Sequence, residues 1–173
     1  KIAEQWECGV VYSQRCHTAE ECVAADAVTA GLPHYTVEGA TLIHPDDLPF
    51  EVAELPEIFT RFRKKVEKDG PVVRPELPVP KIPRPPEGFR GGSLPEWEDE
   101  PPIHDGVMQF QGGAEEGWKR LQTYFWQTRG LSEYKNTRNG MLGWDYSSKF
   151  SPWLAWGCLS PRSIYWAVQR YES

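Results

Sequence analysis

Apolar positions recur with two periods along this 173-residue chain, and the change from one to the other divides it. Gly9-Val10-Val11-Tyr12 is a short apolar run that suits a buried strand. Thr18-Ala19-Glu20-Glu21 matches a capping box, and the helix it opens runs through Cys22, Val23, Ala24, Ala27 and Val28 to a stop at Gly31. A second strand follows over residues 35–37. Strand, helix and strand within about thirty residues predict a βαβ unit, hence a parallel sheet with helices on its faces. Thr41-Leu42-Ile43-His44 leaves that sheet, with Pro45, Pro49 and Pro56 punctuating the exit. Residues 58–68 have helical spacing with a basic face, ended by Gly70-Pro71.

Between Pro71 and Pro102 the pattern vanishes, and this stretch holds ten of the sixteen prolines, Gly91-Gly92 and the acidic run Glu96-Trp97-Glu98-Asp99-Glu100. It predicts a linker, either an extended wrap, partly polyproline II, anchored by Phe89 and Trp97, or a disordered segment. Helical spacing resumes over residues 114–128, with Trp118, Leu121, Gln122 and Phe125 on one face. Ser151-Pro152 and Ser160-Pro161 each read as an N-cap followed by proline at the first helical position. The expected architecture is α/β followed by α. Residues 1–50 form the end of an α/β domain, 51–111 a helix plus the proline-rich linker, and 112–173 the start of a helical domain. An opening at Lys1 and a last helix without a glycine stop lead us to expect a piece of a longer protein.

Composition narrows the function. A hydrophobic fraction of 39% with 13% aromatics supports a core, within which most of the eight tryptophans, including Trp126, Trp144, Trp153 and Trp156, are expected to pack helices. The net charge of −6 is uneven: residues 1–103 carry 11 Lys+Arg against 19 Asp+Glu, whereas residues 104–173 carry 8 against 6. Only the C-terminal part suits a polyanion. Cys8, Cys16, Cys22 and Cys158 form no C-x-x-C pair, and His17, His34, His44 and His104 have no ligand spacing, so no metal site is expected. No apolar run approaches the ~20 residues of a membrane helix. The expectation is a soluble intracellular protein, its organelle unassigned.

Residues 134–162 carry the chemistry. Two helix starts, the hydroxyls of Ser147, Ser148 and Ser151 and the cation of Lys149 lie close together in sequence, the composition of an anion cradle. Ordinary capped helices in a plain bundle would account for the same pattern. Arg138 and Arg162 add positive charge, for which a surface ion pair is the structural alternative.

Tyr134, Arg138-Asn139, Asp145-Tyr146, Ser147-Ser148-Lys149-Phe150-Ser151, Leu154-Ala155, Gly157 and Leu159-Ser160-Pro161-Arg162 resemble the start of the flavin-binding domain of the photolyase/cryptochrome family. His44-Pro45-Asp46-Asp47-Leu48-Pro49-Phe50 and the residues 59–67 resemble its cryptochrome-DASH subfamily, so the resemblance covers nearly the whole chain. It implies that the α/β part is the C-terminal portion of a Rossmann-like domain and that the helical part begins an all-α FAD-binding domain. It implies FAD held by Tyr134, Ser147, Ser148, Lys149, Phe150 and Ser151, with Phe150 contributing its backbone N–H where relatives often carry leucine. Arg138 falls where the family sets an arginine on the nucleic-acid backbone. The implied activity is blue-light-driven splitting of cyclobutane pyrimidine dimers, preferably in single-stranded DNA, by a monomer; the alternative is a blue-light receptor without repair activity. Catalytic residues are expected beyond Ser173, and residues 1–173 alone are expected to hold FAD weakly. At the family's folate-binding glutamate stands Cys16, and a thiol cannot replace a carboxylate there. This departure weighs against a methenyltetrahydrofolate antenna, while Arg15 and His17 leave room for another polar ligand.

Overall fold

The computed structural model describes residues 2–68, 70–93, 96, 109–141 and 143–173, with Ile2 described in its backbone alone. Trp97 and His104 lie outside the described residues. The chain divides into two compact units, Lys1–Pro75 and Glu76–Ser173, and the division falls inside the proline-rich stretch.

The first unit is built on the expected βαβ connection. After α1 (Ile2–Gln5), β1 (Val11–Gln14) pairs in parallel with β2 (His34–Val37), in the register Val11 to His34 through Gln14 to Val37. Between them runs α2 (Ala19–Thr29), and Gly31 follows at φ +88°, the left-handed stop that glycine adopts without a Cβ clash. The helix starts where the capping box predicts, yet Thr18 makes no side-chain cap bond. Strand burial differs from expectation too. Tyr12 is 69% exposed and stacks on Tyr35, because among the described residues the sheet has only two strands and a face left open. His34 is structural: its ring lies 2.7 Å from Ser13 Oγ and 3.3 Å from Thr29 Oγ1, tying β2 to β1 and α2. His44 Nδ1 accepts from the Asp46 N–H and caps the short turn Pro45–Asp47.

Helix α3 (Phe59–Lys68) closes the unit with its basic face outward and Val66 buried. The chain beyond it stays attached for several residues. Val73 is buried, and Arg74 grips Asp47 through two bonds of 2.6 and 3.1 Å. Such a fork on a carboxylate fixes orientation as well as distance. The described residues from 71 to 93 form no helix or strand, as their prolines dictate.

The second unit is helical: α4 (Ala114–Gln122), α5 (Gly130–Thr137), α6 (Ser151–Ala155) and α7 (Pro161–Glu172). The 114–128 helix is not uniform. After Gln122 the chain makes one π turn, Thr123–Gln127. The wider turn brings Tyr124 and Phe125 inward together, each 1% exposed, and leaves Gln122 at the surface. With Leu121, Phe150, Trp153, Leu159 and Ala167 they form the core, against which Trp118, Leu131 and Ile164 pack. The tryptophans divide accordingly. Trp153 is buried and donates to the Gln111 carbonyl at 3.0 Å, and Trp126 rests on Phe125 and Tyr171. Trp144, in the loop between α5 and α6, and Trp156, the C-cap of α6, instead face solvent, Trp156 at 88%.

The Tyr124 hydroxyl is buried without a hydrogen-bond partner among the described residues, and burial pushes its phenol pKa up against the pull of Arg120. A buried donor left unmade costs free energy. Tyr124→Phe keeps the ring against Phe150 and is expected to raise stability by about 1 kcal/mol in urea unfolding; a loss of that size would show that the hydroxyl is satisfied.

Candidate functional site

The site grows out of one charge on a core-facing helix position. Arg120 lies on α4 one residue before Leu121 and four before Tyr124, on the face that packs inward, and its side chain is 5% exposed. A guanidinium there must find acceptors. It finds them in the loop between α5 and α6. Nε donates to the Ser148 carbonyl at 3.1 Å, Nη1 to Asp145 Oδ1 at 2.9 Å, and Nη2 to the carbonyls of Trp144 at 2.8 Å and Ser147 at 3.1 Å. The Thr137 hydroxyl donates to a further carbonyl of this run, that of Tyr146, at 3.0 Å. The loop is thereby tied to both helices through its acceptors.

Its donors are left over. Among the described residues no acceptor meets the hydroxyls of Ser147, Ser148 or Ser151, or the N–H groups of residues 144–150. Ser147, Ser148, Lys149, Phe150 and Ser151 border an open cleft of about 780 Å³ that Phe110, Tyr146 and the first turn of α7 also line. Phe150 borders the cleft and reaches the core through its ring, packed on Tyr124 and Phe125.

Lys149 has a left-handed φ of +56°, unusual for a residue with a Cβ. That turn brings its ammonium 3.3 Å from the centre of the Tyr146 ring. Nζ is buried and has no hydrogen-bond partner among the described residues. Burial, with the Arg120 charge added, lowers its pKa from the ordinary lysine value, while Asp145 opposes the shift. A lysine lowered in the folded state binds fewer protons there than when unfolded, so stability rises with pH across the window between its folded and ordinary pKa values. Lys149→Met is therefore expected to raise the unfolding free energy at neutral pH by about 1 kcal/mol, a gain that shrinks as pH climbs through that window. Urea unfolding at pH 7 and in the alkaline range checks both the gain and its slope.

The helix starts are unequal. Ser160 caps α7 as read, its Oγ accepting from the Arg162 N–H at 3.2 Å. Ser151 is not a cap. It is the first residue of α6, with Phe150 as N-cap and Pro152 second, because the left-handed Lys149 lets the helix begin a residue earlier and the Phe150 carbonyl takes the Leu154 N–H. At five residues α6 contributes little dipole, and the cleft depends on loop donors rather than two helix ends. Tyr134 and Arg138 do not border the cleft; both stand exposed on α5, with Arg138 at its C-terminal cap. Sequence reading missed Arg120. Its signal was a charge inside the apolar stripe that also holds Gly117, Leu121 and Tyr124. In the first unit, Arg15 and His17 both turn toward Glu38, at 2.7 and 3.2 Å, a carboxylate the sequence reading had not assigned.

A parallel βαβ unit followed by a helical unit with a donor-lined cleft defines a two-part α/β and α protein. No family model matches the chain. Cryptochrome DASH of Gloeobacter violaceus is 44% identical over 182 residues, covering 99% of this chain and 36% of that protein. The chloroplastic/mitochondrial Cryptochrome DASH of Arabidopsis thaliana is 39% identical over 188 residues, covering 99% and 32%. The crystal structure of the Synechocystis sp. PCC6803 cryptochrome superposes with a TM-score of 0.77 at 41% identity, over 99% of this chain and 37% of that one. Over the length it covers, the chain belongs to the photolyase/cryptochrome family, in its cryptochrome-DASH branch. It spans about a third of the length of the curated relatives it matches. Among the described residues no helix is long and apolar enough to cross a membrane, and no group of metal-ligating side chains assembles.

Proposed function

We propose that residues 146–152 form the phosphate-facing wall of an FAD site in a blue-light-driven photolyase that splits cyclobutane pyrimidine dimers, preferably in single-stranded DNA. The observation that carries this reading is the buried Lys149 ammonium without an acceptor, set among loop N–H groups and serine hydroxyls that have none either. A diphosphate would satisfy all of them at once. Ser147, Ser148, Lys149, Ser151 and the Phe150 N–H would hold it, and Tyr134 would reach the flavin from α5. Bound FAD supplies light absorption and electron donation; the chain's own residues bind and orient it.

Arg138 is exposed at the end of α5, three residues from Lys135, and suits a DNA phosphate as its partner. A single-stranded substrate spares the cost of unpairing the lesion bases. The test is blue-light-dependent loss of thymine dimers from single- and double-stranded oligonucleotides, with the flavoprotein carrying this chain loaded with reduced FAD. Repair mainly of the single strand supports the lyase. A fully bound, photoreducible flavin with no repair would overturn it in favour of a receptor.

A further inference from the structure

We propose that Arg120 is the positioning residue of the cleft: it holds the carbonyl side of residues 144–148 against the protein so that the donor side is set for an anion before any anion arrives. The inference rests on the reading of the cleft as a phosphate-facing wall. Its warrant is the geometry of the peptide group. In a planar trans peptide the C=O of one residue and the N–H of the next point in opposite directions. Arg120 draws inward the carbonyls of Trp144, Ser147 and Ser148, which turns the N–H groups of Asp145, Ser148 and Lys149 away from it. Thr137 does the same through the Tyr146 carbonyl for the N–H of Ser147.

Four of the guanidinium's five N–H groups are spent in this way, on acceptors from four residues within the run 144–148. Asp145 is the only charged member of that set and orients the fork. A lysine in the same place would carry the charge but has no planar fork to distribute over separate acceptors. The cation's presence is therefore insufficient. What matters is the simultaneous capture of three carbonyls and one carboxylate, which removes the ordering cost from anion binding.

The experiment is a titration of the full chain with inorganic pyrophosphate, followed by amide nuclear magnetic resonance of residues 144–151, for wild type, Arg120→Lys and Asp145→Asn. Signals of Leu121 and Ala167 report whether the core remains folded. In wild type the amides of Ser147, Ser148 and Lys149 are expected to shift saturably. Both variants, with core signals retained, are expected to bind about tenfold more weakly and to lose the concentration of shifts on those three amides. A merely structural role would lower stability but leave affinity and shift pattern of the folded protein unchanged, and that result overturns the inference. If Arg120→Lys does not fold, Asp145→Asn decides by the same criterion, since its side chain is 39% exposed. Absence of any shift on residues 144–151 in wild type would instead overturn the phosphate-wall reading, and this inference with it.

Discussion

Arg120→Met is expected to lower the unfolding free energy of the helical unit by about 3 kcal/mol. Methionine fills much of the arginine's volume, so the loss comes from polar groups left behind rather than from a cavity. Three loop carbonyls and the Asp145 carboxylate lose their shared donor, and Arg120 itself is almost wholly shielded from water. Each acceptor that stays buried without a partner adds to the cost, while those that reach solvent recover part of it. Asp145→Asn removes a single charge from a partly exposed side chain and is expected to cost less than about 1 kcal/mol. Urea unfolding of both variants gives the comparison; equal losses would mean that the ion pair alone, and not the carbonyl capture, holds the loop.

Gly130→Ala reverses the sign that helix propensity predicts. Alanine is better than glycine within a helix by about 1 kcal/mol. Gly130 opens α5, however, and a Cβ there would collide with the Tyr124 ring at Cε2 and Cδ2, well inside van der Waals contact. Tyr124 is among the most deeply buried side chains and is hemmed in by Phe125 and Phe150, so it has nowhere to move. We expect a loss of about 3 kcal/mol, the upper part of the range for overpacked cores. Gly117→Ala meets Leu159 Cγ at 2.9 Å and Trp153 at 3.1 Å, a milder conflict, and is expected to cost less. A thermal melt in which Gly130→Ala is as stable as wild type would show that α5 shifts freely.

Much of this was legible from spacing. Strand, helix and strand separated by short connections admit few topologies, and α2 and β2 fall where periodicity sets them, down to the stop at Gly31, while β1 begins two residues later than the apolar run Gly9–Tyr12. Ser160-Pro161 read correctly because an N-cap acts within three residues of itself. Ser151-Pro152 misled because the same dipeptide also fits the first two helical positions, and the choice was made by the backbone of Lys149, which a sequence does not display. The residues bordering the cleft, Ser147 through Ser151, were recognisable as a donor-rich run.

The sequence by itself determined the local elements, the proline-rich break between them and the donor-rich composition of the 147–151 segment, since all three depend on neighbours a few residues apart. Only the tertiary structure decided which side of that segment faces the protein. Arg120 and its acceptors are separated by 24 to 28 residues, and nothing in local spacing pairs them. The burial of an arginine on α4 obliges the loop to present its carbonyls inward, and the planarity of the peptide group then leaves its N–H groups for the cleft.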